Sequence, residues 1–171
     1  MKIRPGTDSD RDATWNIFHE VVAAGDTYTF DPGMSREEAL AYWFRADTRT
    51  YVAENDGRIV GTYILRANQP GAGSHVANAA FMVAADARGL GVGRSMAKHS
   101  IAEARGLGFR AMQFNFVVST NEGAVRLWKQ LGFEIVGTLP GAFRHPRKGY
   151  VHVYVMFRSL QDARKQSLQK T

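Results

Sequence analysis

The chain has 171 residues, no cysteine and a formal net charge of +6. That length fills one ordinary core and is short for two domains. Without cysteine there are no disulfides, thiolate nucleophiles or cysteine–zinc sites, and no apolar run approaches the roughly 18 residues of a membrane span.

From the start, Met1 to Pro5 lacks the apolar stretch of a signal peptide, so the expected setting is the cytoplasm. Ile3 opens a first strand. Thr7 or Asp8 caps a helix running to about Ala24, with Trp15, Phe18, Val21 and Val22 on its apolar side. Asp26 to Gly33 is an aromatic loop holding Tyr28 and Phe30. Ser35 and Glu38 form a capping box before a helix that ends near Arg45. Thr50 to Glu54 and Arg58 to Arg66 read as strands joined by Asn55-Asp56-Gly57, a hairpin signal. A loop from Gln69 to Ser74 leads to a strand over Val76 to Val83. Ser95 to Leu107 has helical periodicity, and Gly106 and Gly108 end it. Met112 to Val118 is a further strand. Ser119 with Glu122 spells a second capping box, for a helix that Gly132 closes with a left-handed turn.

The last strands are Glu134 to Leu139 and Tyr150 to Phe157. The segment Gly141 to Gly149 links them and carries Arg144, His145, Arg147 and Lys148. Ser159 to Thr171 reads as a polar tail, leaving one domain over residues 1–158. This order of elements predicts an α+β fold, a mixed sheet with helices on both faces.

The densest signal is Arg88-Gly89-Leu90-Gly91-Val92-Gly93-Arg94, between a strand and a helix. The first N–H groups of a helix lack intrahelical partners, and the helix dipole favours an anion there. Gly91 and Gly93 let the backbone close around phosphate oxygens, and Arg88 and Arg94 add positive charge. The spacing is not that of an NTPase loop. A dinucleotide fingerprint also fails, because Arg94 stands where its third glycine belongs. The competing account is a plain glycine turn.

Arg88-x-x-Gly91-x-Gly93 resembles the pyrophosphate loop of the GNAT superfamily of acetyl-CoA-dependent acetyltransferases. Asn121 to Phe133, ending Leu131-Gly132-Phe133, resembles that family's later helix. The two segments stand in the family's order, and the resemblance covers roughly Ile59 to Phe157. It implies the GNAT fold, in which two central strands splay. It implies acetyl-CoA as cosubstrate, its pantetheine arm pairing with the backbone of Phe81, Met82 and Val83. It implies cofactor contacts from Arg88, Gly89, Leu90, Gly91, Val92, Gly93 and Arg94, from Asn121, and from Trp128 near the acetyl end. Asn121 reads equally well as a helix cap. Acetyl-CoA is also anion enough to answer the charge of +6.

Many relatives carry a tyrosine acid where Trp128 stands. An indole N–H donates a hydrogen bond but is no practical acid, so direct attack on the thioester is expected. Asn78 and Asn115 interrupt apolar strands and need partners. They read either as structural amides at the splay or as lining of the acceptor site with a catalytic part. Their spacing to Phe81 and Asn121 is similar to that in fungal acetyltransferases of azetidine-2-carboxylate and other proline analogues. Thr27-x-x-Phe30 and the last strand resemble the phosphinothricin and methionine-sulfoximine acetyltransferases, which typically carry an aspartate where His152 stands. Tyr28, Phe30, Asn78, Asn115 and His152 are therefore the expected acceptor site, with a structural role as the alternative for His152. No histidine shows metal-ligand spacing, so no metal is expected. His99 reads as a surface residue.

The function so implied is acetyl transfer to the amine of a small molecule, an amino acid or analogue, with a homodimer open as the assembly. An acyl-CoA sensor without catalysis is the alternative, favoured by Trp128. A nucleic-acid module ranks below both, because aromatics are not interleaved with the basic residues. No nucleic acid or membrane partner is expected.

Overall fold

Two consecutive left-handed residues, Asp56 at φ 50° and Gly57 at φ 77°, make the turn whose twist suits a hairpin. The hairpin they close supplies the second and third strands of a seven-stranded sheet. The computed structural model describes residues 1–161. In chain order the elements are β1 (Lys2–Pro5), α1 (Arg11–Ala24), α2 (Arg36–Trp43), β2 (Arg49–Asn55), β3 (Arg58–Ala67), β4 (Val76–Val83), α3 (Val92–Gly106), β5 (Ala111–Val118), α4 (Glu122–Gln130), β6 (Glu134–His145) and β7 (Gly149–Ser159).

The strand order is β1-β2-β3-β4-β5-β7-β6. Every neighbouring pair is antiparallel except β4 and β5, which are parallel. That central pair is in register only at Val76 with Ala111 and Ala77 with Met112. Beyond those two rungs the strands part. The splay that the family resemblance implies is present, as is the mixed sheet expected from the order of elements.

Adjacent residues of β3 show where the helices lie, because successive side chains point to opposite faces. A Cβ on Gly61 would meet Val92 and Met96 of α3 at 2.9 Å, so the missing side chain lets α3 pack close. Thr62, on the other face, accepts from Trp43 Nε1 of α2 at 2.9 Å and donates to the Tyr51 carbonyl at 2.9 Å. Trp43 and Thr62 are fully buried. α4 shares the α3 face. Its Trp128 packs on Phe81, which stacks on Tyr63, and the Tyr63 hydroxyl meets His99 of α3 at 2.7 Å. His99 is thus a half-buried partner of Tyr63, not the surface residue expected.

Several boundaries differ from the sequence reading. Thr7 does form a capping box with Asp10, but over a 3-10 turn, and α1 begins at Arg11. α3 begins at Val92, three residues before Ser95, because Gly91 at φ 79° turns the chain straight into the helix. α4 is capped by Asn121, whose Oδ1 accepts from the Ala124 N–H at 3.3 Å, and not by a box of Ser119 and Glu122. The basic segment is not a free linker. β6 extends to His145 and β7 starts at Gly149, so most of it lies on the hairpin. β7 runs to Ser159, and the buried Leu160 donates its N–H to the Arg110 carbonyl at 2.9 Å. The rest of the expected tail, 162–171, lies outside the described residues. Among the described residues no helix is long and apolar enough to cross a membrane.

Candidate active site

A cleft of about 580 Å³ opens where β4 and β5 part. Its walls are β4, β5, the start of α4 and the loop after α1. Parity decides which backbone groups face it. Ala84 donates to Val60 of β3, so the even residues of β4 turn their N–H and C=O to that strand. Ala79, Phe81 and Val83 turn theirs to the gap, where β5 no longer answers.

One rung of this edge is already taken. The Tyr28 hydroxyl donates to the Phe81 carbonyl at 2.7 Å and accepts from the Phe81 N–H at 3.0 Å. Burial pushes the Tyr28 pKa well above the usual phenol value, so it stays a neutral donor. Tyr28 stacks on Phe30, and Phe30 meets Tyr42 edge-on at 5.0 Å. Val83 is the unpaired rung next along. Met82 also lines the cleft, but its side chain is buried and its backbone belongs to the β3 ladder.

At one end of the cleft lies the glycine loop. Gly89 and Gly91 have φ of 81° and 79°, a region other residues enter at a cost. A side chain at Gly91 would meet nothing within 4 Å, so open space faces that backbone. The first helical bond runs from Ser95 N–H to Gly91 O, leaving the amides of Val92, Gly93 and Arg94 without a partner inside the helix. Arg88 lines the cleft, Arg94 pairs with Gln130, and Leu90 is exposed. Thr120 Oγ1 is buried in the cleft wall and has no partner. Orphaned donors and an orphaned hydroxyl make a site for an anionic, extended ligand.

At the other end stand Asn78 and Asn115. Asn78 Nδ2 donates to the Gln113 carbonyl at 2.9 Å, tying β4 to β5 where the ladder fails. A register shift between Phe114 and Val117 swings Asn115 and Phe116 out of the β5–β7 ladder and into the cleft wall. Asn115 is held by Asn68 at 2.6 Å and Gln113 at 2.8 Å. Trp128 is 8% exposed, with Phe114 at 4.6 Å and Phe81 at 5.0 Å between ring centroids.

Tyr28, Phe30, Asn78, Phe81, Val83, Arg88, Asn115, Asn121 and Trp128 thus meet on one cleft. His152 does not join them. It is exposed on β7, opposite the bulged stretch of β6 between Leu139 and Phe143, and accepts from the Gly141 N–H at 3.2 Å. His145 lines the cleft in its stead. The sequence reading also passed over Asp26, Tyr42 and Arg66. Arg66 carried a signal, a charge near the end of a strand whose residues Val60 to Leu65 are all buried. No group of three potential metal ligands occurs among the described residues.

Known proteins match this arrangement. The sequence profile described as "Acetyltransferase (GNAT) family" matches residues 15–133. N-acetyltransferase aca1 of Schizosaccharomyces pombe is 31% identical over 172 residues, covering 89% of this chain and 82% of that protein. A GCN5-related N-acetyltransferase from Kribbella flavida superposes with a TM-score of 0.90 at 47% identity, over 92% of this chain and 96% of its own. The protein yncA from Salmonella typhimurium, solved with its cofactor acetyl-CoA, shares the fold at a TM-score of 0.82 and 23% identity, over 95% of each chain. The matched residues run from α1 through the glycine loop to the end of α4, and on that evidence the chain belongs to the acetyltransferase (GNAT) family.

Proposed function

We propose that this chain transfers an acetyl group from acetyl-CoA to the amine of a small molecule, an amino acid or an amino-acid analogue. The observation that carries the reading is the continuity of the cleft. It runs from Arg88 beside the glycine loop, past the unpaired rung at Val83, to Asn78 and Asn115. Acetyl-CoA supplies an activated thioester, and the residues present suit it. The amides of Val92, Gly93 and Arg94 hold phosphate, and the Val83 edge takes the peptide-like arm. Thr120 and the amide nitrogen of Asn121 add polar contacts along the way. The likeness to aca1 supports nitrogen as the accepting atom.

The Val83 N–H donates to the thioester oxygen and stabilises the charge that grows there. Trp128 packs around the reacting end and supplies no proton. Tyr28 and Phe30 keep water from the amine. The amine must lose a proton to attack, and Asp26 is the only carboxylate on the described cleft wall, so it takes that proton directly or through water. His145 also lines the cleft, with one ring nitrogen already engaged. Its Nδ1 accepts from the Arg147 N–H at 3.1 Å, which puts the ring proton on Nε2.

The test is CoA release with a panel of amines that includes proteinogenic amino acids and azetidine-2-carboxylate, with the acetylated product identified by mass. Turnover supports the proposal. Tight acetyl-CoA binding without turnover on any amine would favour the acyl-CoA sensor, the reading Trp128 suggests.

A further inference from the structure

Arg66 lies one residue before the end of β3 on the cleft wall, directly across the ladder from Asn78. Its guanidinium donates to the Tyr42 hydroxyl at 3.0 Å and lies 5.3 Å from the centre of that ring. Five arginines among the described residues pair with carboxylates: Arg4 with Asp10 and Glu54, Arg11 with Asp8, Arg36 with Asp12, Arg45 with Asp47 and Arg58 with Asp86. Arg66 has none within ion-pair reach among the described residues. A half-buried cation against an aromatic wall with no countercharge is costly to hold, and it is an open fork for a planar anion.

Position separates this cation from the phosphate end. From Asn78 to Val83 is five residues of strand, roughly 17 Å, and Arg88 lies further on. The same ladder puts Arg66 about three residues, roughly 10 Å, from the rung of Phe81. A guanidinium and one amino acid together bridge that span. Tyr42 is fixed in turn by Phe30, so the cation is held between a ring and the gap.

We infer that Arg66 binds the carboxylate of the acceptor, so that the acceptor class is α-amino or α-imino acids rather than simple amines. This rests on the acetyltransferase reading given above. Arg66 takes the carboxylate with two parallel N–H donors, and Tyr42 holds the fork in place. The acceptor nitrogen then points past Asn78 toward the Val83 edge.

The experiment compares the best amino-acid acceptor of the panel with its carboxamide. Loss of the carboxylate should lower kcat/KM by roughly 10- to 100-fold, the range of a charged hydrogen-bonded pair. Arg66→Gln should reduce the acid to the level of the amide and leave the amide unchanged. Arg66→Lys should recover part of the preference, and Tyr42→Phe should weaken it while the KM for acetyl-CoA stays put in all three. Equal use of acid and amide by the parent enzyme, or a preference that survives in Arg66→Gln, would overturn the inference but leave the transferase reading standing. Turnover of simple amines alone would do the same. If no amine is acetylated, the transferase reading fails, and Arg66 is tested on its own by NMR titration of parent and Arg66→Gln protein with N-acetylproline and N-acetylprolinamide. Arg66-dependent binding of the acid only would support the carboxylate site; indifference would end it.

Discussion

The hydroxyl of Tyr28 closes a ring of two hydrogen bonds with the backbone of Phe81, one donated at 2.7 Å and one accepted at 3.0 Å. It therefore stands in for a strand that β4 lacks. Tyr28→Phe leaves a buried N–H and C=O unanswered, and the expected cost is about 1–3 kcal/mol in urea unfolding. The loss should be constant from pH 6 to pH 9, because burial keeps the hydroxyl protonated throughout. A mutant as stable as the parent would show that water replaces the hydroxyl without loss.

Gly91→Glu should abolish most of the affinity for CoA. The backbone there sits at φ 79°, so any side chain is strained, and the carboxylate adds charge beside the phosphates. Gly91→Ala carries the strain alone and separates the two effects. Calorimetry should rank the three proteins parent, Ala, Glu, with the step from Ala to Glu the larger. Equal affinity in the folded Glu variant would remove the loop from the binding site.

Trp128→Phe should keep turnover within about tenfold of the parent, since a tenfold change is only about 1.4 kcal/mol of barrier. The ring sits among Phe81, Phe114 and Phe133, where a phenyl ring fills most of its space. Rates measured across pH should move together rather than lose a limb. A fall of several orders of magnitude with CoA binding intact would make the indole a chemical participant.

Asp10 gives a stability prediction far from the cleft. Its carboxylate accepts from Arg4 at 2.7 and 2.9 Å, and from the Thr7 N–H at 2.8 Å. The Arg4 guanidinium holds its pKa down to about 2 from 3.8. A depressed carboxylate stabilises the fold above its unfolded pKa and loses that contribution as pH falls through the folded one. The parent should thus exceed Asp10→Asn by about 2 kcal/mol near pH 6, with the gap closing between pH 4 and pH 2. Denaturant melts at both ends of that window measure it. A gap that stays constant down to pH 2 would mean the interaction does not depend on ionisation.

The elements and their order were legible in the sequence because each had a local cause. The Asn55-Asp56-Gly57 turn, the Ser35–Glu38 box and the glycine loop act within a few residues, and all three formed. The Ser119–Glu122 box failed for a local reason too: Asn121 is the stronger cap and sits one residue before the helix. The acceptor end was half legible. Asn78 and Asn115 stood out as amides in apolar strands. His152 lies outside the cleft, because the alternation of β7 says nothing of how far along that strand the cleft wall reaches. Arg66 and Tyr42 meet only through the fold, across 24 residues of chain.

The two paired rungs between β4 and β5 make the sheet two plates on a short seam. One plate carries β1 to β4 and the other β5 to β7, and the side chains of Asn78, Phe81, Phe114 and Trp128 stitch them. A ligand lying in the gap supplies rungs to both plates, so its binding free energy is also cohesion of the sheet. Saturating the cleft should turn two loosely joined halves into one cooperative unit, and the slowest-exchanging amides should then include those that flank the seam.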